Sequence, residues 1–302
     1  MRVLLIMNPA AARTEAVAVQ AVLRTLRQGG WTVELQATGG PGDARRFAEE
    51  ARRQRMDAVC VFGGDGTTMQ AAAALVGTEV LLGVIPGGTG NLLAGNLRIP
   101  THPVRAARAL LRATPRPLDL GRMERDDGTH YFAVACGCGY DARVMAETRT
   151  EDKQRWGFAA YVATTLRLMP ELRSVEHLIT ADGVEYEAHG ALVLVANCGE
   201  IIPPYVKLRR GITPDDGVLD LVVVRADSFT ESLAAIWELL HEPRRAGRRD
   251  GGYVGYARGA EITVTTTPPR PVQLDGEPGG ETPFTARVVP AAVRVLTPPR
   301  HR

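Results

Sequence analysis

Lysine is nearly missing from this chain. Lys153 and Lys207 are the only two in 302 residues, and arginine supplies every other strong positive charge. No glycine-rich loop therefore ends in the Gly-Lys of a P-loop nucleotide site. Cysteine is scarce as well, with Cys60, Cys136, Cys138 and Cys198 each inside or beside an apolar segment. Cys136-Gly137-Cys138 is the one close pair, and no second pair completes a zinc tetrad, so buried free thiols in a reducing compartment are expected. Long apolar runs are missing too. Val3 to Met7 is broken at once by Asn8-Pro9, too short for a signal-peptide core or a membrane span. Nor is one sign of charge dominant. The net charge is +2, divided as +5 over residues 1–120 and −3 over 121–302, which is not the footprint of a nucleic-acid binder.

What the chain does have is alternation. Residues 2–7, 32–36, 57–62 and 80–85 read as strands, and 15–27, 43–55, 67–76, 91–97 and 102–112 as helices. Strand–helix repetition of this kind predicts an α/β doubly wound parallel sheet with ligands at the carboxyl ends of its strands. Near Thr114-Pro115-Arg116-Pro117 the rhythm changes. Strands are then expected at 131–136, 175–181, 191–196, 219–224, 261–266 and 286–289, with helices only at 158–168 and 228–240. That pattern predicts a second, mostly antiparallel β-sandwich-like domain. A last strand at 293–296 belongs either to this domain or to the first.

Two glycine punctuations stand at the ends of neighbouring strands: Gly63-Gly64-Asp65-Gly66-Thr67 and Pro86-Gly87-Gly88-Thr89-Gly90-Asn91. Glycine lets backbone approach a ligand closely, and a helix start offers N–H groups to anions. Thr67 is expected to cap the helix that follows. Asp65 would repel a bare phosphate, so it points either to a bridging magnesium ion or to hydrogen bonds with its own loop. Asn8 ends the first strand, as a helix cap or a phosphate donor, and Thr38 follows the second. Four strand ends with such residues are most simply one phosphate site.

Further along, Asp275-Gly276-Glu277 reads either as a hairpin turn or as carboxylates able to accept a proton from a hydroxyl. Asp215-Asp216-Gly217 is a turn or a ligand for a hard cation. Lys153 meets a phosphate, a local acid or solvent. The four arginines in residues 241–250 form a solvated loop or a contact with an anionic surface.

As an ordered set, these residues resemble the bacterial diacylglycerol kinase and sphingosine kinase superfamily of lipid kinases. The resemblance runs from Asn8-Pro9 through both glycine motifs, Asp119-Leu120-Gly121, Gly137 to Ala142, Lys153 with Gly157, and Asp216 to Asp220, ending at Asp275-Gly276-Glu277. It implies a nucleotide-binding domain over residues 1–120 and a β-rich lipid-substrate domain over 121–302, with catalysis between them. Asp275 would be the general base on the lipid hydroxyl, supported by Glu277. The ATP site would be lined by Asn8, Thr38, Gly63, Gly64, Gly66, Thr67, Gly88, Thr89, Asn91 and Lys153, with Asp65 and Asp119 organising its polar network. Asp216, with the carbonyls of Thr213 and Val218, would match a structural magnesium site of some members, separate from the Mg2+ that accompanies ATP.

The expected protein is cytoplasmic, with transient peripheral membrane contact, a lipid acceptor, no nucleic-acid partner and room for a homodimer. The chain departs from the family's Asn-Pro-x-Ser-Gly opening, which here is Asn8-Pro9-Ala10-Ala11-Ala12-Arg13: either Arg13 compensates for the lost hydroxyl and glycine, or the phosphate-wrapping backbone geometry is lost with them. Two other readings share parts of the pattern: an NAD kinase, through Gly63 to Thr67, and a nucleotide- or lipid-binding regulator without turnover.

Overall fold

The computed structural model describes residues 1–125, 128–139, 174–203, 206–208, 211–241 and 252–299. Lys153, the helix expected at 158–168 and the arginines at 244, 245, 248 and 249 lie outside them. The chain divides into two units, one of residues Met1–Asp119 with Ala291–Arg302 and one of Leu120–Pro290.

In the first unit, strands β1 (Arg2–Met7), β2 (Thr32–Ala37), β3 (Ala58–Gly63) and β4 (Leu81–Pro86) form a parallel sheet in the order β2-β1-β3-β4. Its central strands are continuous apolar runs because helices cover both faces, and β3 is buried along its whole length. Helix α1 (Ala16–Gln28) faces the core with Val19, Val22, Leu23 and Leu26, the three- and four-residue spacing of one helical face. The short buried side of α2 (Asp43–Arg53) is Ala44, Ala48 and Ala51, which brings it close to α3 (Asp65–Leu75). Helices α4 (Leu92–Asn96) and α5 (Pro103–Leu110) complete the layer. Because the chain moves from β1 outward to β2 and then back across to β3, the strand order reverses between β1 and β3. At such a point the loops diverge and leave a crevice at the carboxyl edge.

The second unit carries two antiparallel layers. One has the order β14 (Val254–Gly259), β13 (Leu219–Val224), β10 (Leu192–Ala196), β7 (Ala135–Gly139), β16 (Pro271–Leu274), β17 (Glu277–Glu281). In the other, β15 (Glu261–Thr266) lies between β8 (Val175–Ala181) and the first residues of β18 (Phe284–Thr297), and β9 (Val184–Gly190) pairs with β8. Period-two burial supplies the core between the layers: Val193 and Val195, Leu219 and Leu221, Ile262 and Val264, closed by Phe132 and Phe284. Strands β11 (Glu200–Ile202) and β12 (Val206–Lys207) make a small separate ribbon, and α6 (Phe229–His241) follows β13.

Three local expectations change. Thr114–Arg125 is a single strand, β5, running through the two prolines read as a break. The strand expected at 131–136 is divided into β6 (Gly128–Phe132) and β7, because the amides of residues 133–135 turn away to another partner. The strands expected at 286–289 and 293–296 are both parts of β18, whose late residues Arg294 and Val295 pair in parallel with Leu81 and Leu82 of β4. All four cysteines are buried and free. Desolvation pushes the thiols of Cys60 and Cys138 up to about 12.

Candidate active site

At the carboxyl edge of the first unit, the strand ends are tied to one another in sequence. Thr38 N–H donates to the carbonyl of Met7 at 2.8 Å, Asn8 N–H to Phe62 at 3.0 Å, and Gly87 N–H to Gly63 at 2.8 Å. Asn8 thus stands at the end of β1, Thr38 at the end of β2, and the two glycine motifs at the ends of β3 and β4. The side chain of Asn8 crosses the strand-order reversal, its Nδ2 donating to Thr67 Oγ1 at 2.9 Å. Its Oδ1 accepts the N–H of Ala10 at 2.9 Å, and Thr14 Oγ1 donates to its carbonyl at 2.7 Å. Asn8 therefore caps no helix. It shapes the loop that carries Arg13, whose N–H donates to Gly87 O at 2.9 Å and whose guanidinium reaches Thr101 O.

Thr67 does not cap α3 either, since the helix starts at Asp65 with Gly64 as its N-cap. Thr67 falls in the first turn, where its hydroxyl is free to face Asn8. The glycines serve two ends. A Cβ on Gly87 would lie 3.0 Å from Gly63 N, and one on Gly88 would lie 2.8 Å from Gly64 Cα. Those two are small because one loop rests on the other. Gly64 is different: a Cβ there meets nothing nearer than 3.7 Å, and its φ of −90° suits any residue. Asn91, at φ 52°, closes the second loop by accepting the Gly88 N–H at 3.0 Å and donating back to Gly88 O at 2.6 Å. Thr89 is exposed at the tip of that loop.

Asp65 answers the alternative left by its sequence. Its Oδ1 accepts the N–H of Leu93 at 3.3 Å, and the amides of Leu92 and Asn91 also bond to the carboxylate. Burial pushes its carboxyl above the ordinary range, while these backbone amides pull it down. The group holds the start of α4, which is the loop-bonding alternative its sequence offered. Asp119 is also buried, its Oδ1 accepting the N–H of Ala291 at 2.7 Å. That bond fixes the chain where Ala291 takes a positive φ of 47°.

In the second unit Asp275 and Gly276 are the two central residues of the β16–β17 hairpin. Their φ values of 47° and 87° are those of the mirror-image turn that suits the twist of paired strands. Gln273 Oε1 accepts the Gly276 N–H at 2.7 Å. The turn is more than a connection, because the Asp275 carboxylate accepts three consecutive amides: Ala133 at 2.6 Å on Oδ2, and Val134 at 2.8 Å and Ala135 at 2.9 Å on Oδ1. The carbonyls of the same three residues are taken in turn. Asn197 Nδ2 donates to Ala133 O at 2.8 Å, the Asn197 N–H to Val134 O at 2.8 Å, and the Asp275 N–H to Ala135 O at 2.9 Å. Glu277 starts β17 and is exposed. The sequence points neither to the amides of 133–135 as partners of Asp275 nor to the side chain of Asn197 as the partner of Ala133 O. No sequence signal marks them, since they are backbone groups and one residue far along the chain.

The third predicted group lies before β13. Thr213 is exposed and Val218 half-buried. Asp216 accepts the Val218 N–H at 3.4 Å, while its other oxygen faces Arg258 Nη2 at 2.5 Å. Among the described residues there is no group of three or more His, Cys, Asp or Glu side chains able to hold a metal.

Both parts of the chain match known families. Residues 2–123 match the diacylglycerol kinase catalytic domain, and residues 134–297 match the YegS C-terminal NAD kinase beta sandwich-like domain. A protein of Xanthomonas axonopodis pv. citri named "Probable lipid kinase YegS-like" is 27% identical over 298 residues, covering 94% of this chain and 93% of its own. A Bacillus subtilis diacylglycerol kinase is 28% identical over 265 residues, covering 87% and 84%. The fold is shared with the crystal structure of a diacylglycerol kinase from Bacillus anthracis str. Sterne, at a TM-score of 0.75 and 21% identity over 99% of this chain and 97% of that one. With both domain families matched in order along its length, the chain belongs to the diacylglycerol kinase-like family of lipid kinases.

Proposed function

We propose that this protein transfers the γ-phosphoryl group of ATP to the hydroxyl of diacylglycerol or a closely related lipid. Family membership supports the kinase chemistry. The observation that carries the residue-level reading is the edge at the β1–β3 reversal, where Asn8 is bonded to Thr67 beneath two glycine loops. Gly64 there keeps its backbone open to a phosphate, and the first turn of α3 turns its N–H groups to the same edge. Thr38, Thr67 and Thr89 supply hydroxyls, and Asn91 holds the second loop in the shape that presents Thr89.

An alcohol has a pKa far above neutral, so its attack on phosphorus is helped by a carboxylate that takes the proton as the new bond forms. Asp275 is assigned that role, with Glu277 beside it. The three amides fix the Asp275 carboxylate in one orientation, which pre-organises it to position a hydroxyl. A magnesium ion bound with the triphosphate would neutralise charge on the phosphoryl oxygens. An acylated acceptor resides in a bilayer, so the reading includes transient attachment to a membrane surface. No helix among the described residues is long and apolar enough to cross one.

The test is transfer of radiolabel from ATP to an extracted lipid pool, followed by identification of the labelled product. Label in diacylglycerol or a similar lipid alcohol is expected. Label in NADP instead, or nucleotide binding with no labelled product, would overturn the assignment.

A further inference from the structure

The turn at residues 213–218 is where relatives would place a structural magnesium ion, and in this chain the donors do not fit one. Magnesium keeps near-octahedral geometry and fills several positions with water, so the fit turns on whether the Asp216 carboxylate is free to give an oxygen. Asp216 is the one carboxylate offered by Thr213, Asp216 and Val218, and one of its oxygens is already 2.5 Å from a guanidinium nitrogen of Arg258. A divalent cation on that carboxylate would sit against a fixed positive charge.

Arg258 is held there by strand register. It lies directly opposite Asp220 across the antiparallel β13–β14 pair, where oppositely charged side chains meet. Its Nε is 2.9 Å from Asp220 Oδ1 and its Nη2 is 3.1 Å from Asp220 Oδ2. Asp220 is buried, so it needs a cation, and the guanidinium also has reach to spare for Asp216. One planar group therefore joins the turn to the strand that follows it, the mechanical task of a bridging ion.

We infer that Arg258 takes the place of the structural divalent cation, so that this turn is fastened by the chain's own guanidinium and without metal. This is independent of which lipid the enzyme phosphorylates, and it can be tested on nucleotide-free protein without an activity assay. The full-length chain is titrated with Mn2+ by electron paramagnetic resonance, alongside Asp216→Asn. Thermal unfolding is followed for wild type, Arg258→Met and Arg258→Lys, each with excess EDTA or with millimolar Mg2+.

Wild type and Asp216→Asn should take up the same number of Mn2+ ions, and wild-type Tm should be the same in EDTA and Mg2+. Arg258→Met should lower Tm by about 5 °C, with Arg258→Lys between the two because an ammonium keeps the charge but not the planar fork. A Mn2+ site lost on Asp216→Asn would overturn the inference. So would a wild-type Tm that falls in EDTA and no longer does so in Asp216→Asn, or an Arg258→Met protein as stable as wild type. If Arg258→Met does not fold, the Mn2+ comparison of the other two proteins still decides the question.

Discussion

Replacing Asp275 by asparagine separates two duties that the structure gives one carboxylate. The anion accepts three amides from residues 133–135, two on Oδ1 and one on Oδ2. An asparagine has one acceptor oxygen. If it is turned to Val134 and Ala135, its NH2 group faces the N–H of Ala133, and that donor loses its partner. Hydrogen bonds to a charged group contribute about 1.5–3 kcal/mol each, so losing one and weakening two should cost about 2–4 kcal/mol. For a unit of this size, at about 2–4 °C per kcal/mol, that corresponds to a Tm lower by about 4–16 °C.

Loss of turnover alone would then be ambiguous, and a second variant resolves it. Asn197→Ala removes the bond to Ala133 O from the same turn without touching the carboxylate, at a cost of about 1–2 kcal/mol. Both proteins would be assayed well below their melting temperatures, with ATP affinity measured separately. If Asp275 is the base, Asp275→Asn should lose at least about 10²-fold in kcat and keep its ATP affinity, while Asn197→Ala retains most of its turnover. An Asp275→Asn protein with wild-type Tm would refute the anchoring argument. One with near-normal kcat would refute the catalytic role.

The glycine loops give a similar contrast. Gly88→Ala places a methyl group 2.8 Å from the Cα of Gly64, where backbone cannot give way, and overpacking of this kind costs about 1–3 kcal/mol, visible as a lower urea midpoint. Gly64→Ala has room and should leave Tm unchanged, yet its methyl group would stand where the phosphates are placed, so its KM for ATP should rise roughly tenfold; an unchanged KM removes Gly64 from the site. For Asp65, whose carboxyl is raised by burial, the folded state holds its proton more tightly than the unfolded state. Wild type should therefore gain stability relative to Asp65→Asn as the pH falls through that raised value toward the ordinary carboxylate range. A Tm difference between the two that does not change with pH contradicts the assignment. The four thiols, all buried with raised pKa values, should be silent toward a disulfide reagent at neutral pH in native protein and titrate fully in denaturant; any fast-reacting thiol contradicts their burial.

The first unit was legible in the sequence because its signals are local. Apolar runs such as Val3 to Ile6 and Val59 to Phe62 are too short for buried helices and read as strands buried on both faces, and the helix between each pair announces itself by spacing. The second unit was legible in class and less so in detail. Strand β9 does alternate, Val184, Tyr186 and Ala188 with Glu185, Glu187 and His189, but residues 184–187 are all exposed, so at the sheet edge the pattern marks a strand without marking an inward face. Strand β5 opens with Thr114-Pro115-Arg116-Pro117, which resembles a linker, yet it continues as one strand that pairs with β18 and β6. At the site, sequence identified the residues at the strand ends but not their partners. Asn8 reaches Thr67 across 59 positions, and Asp275 reaches residues 133–135 across about 140. Such pairings are made by topology, which composition does not encode. Arg258 was invisible for the same reason, since only the register opposite Asp220 gives it meaning.

The last strand has a bearing on how this protein comes into being. Arg294 and Val295 lie beside Leu81 and Leu82, the carbonyl of Ala292 receives the N–H of Gly77, and Arg294 pairs with Glu79. During synthesis from the amino terminus, β4 must wait with one flank bare until some 200 further residues have been made. A nascent or truncated product ending before Ala291 would expose that flank to any stray strand, so a nucleotide-binding fragment cut at the first boundary should be prone to self-association.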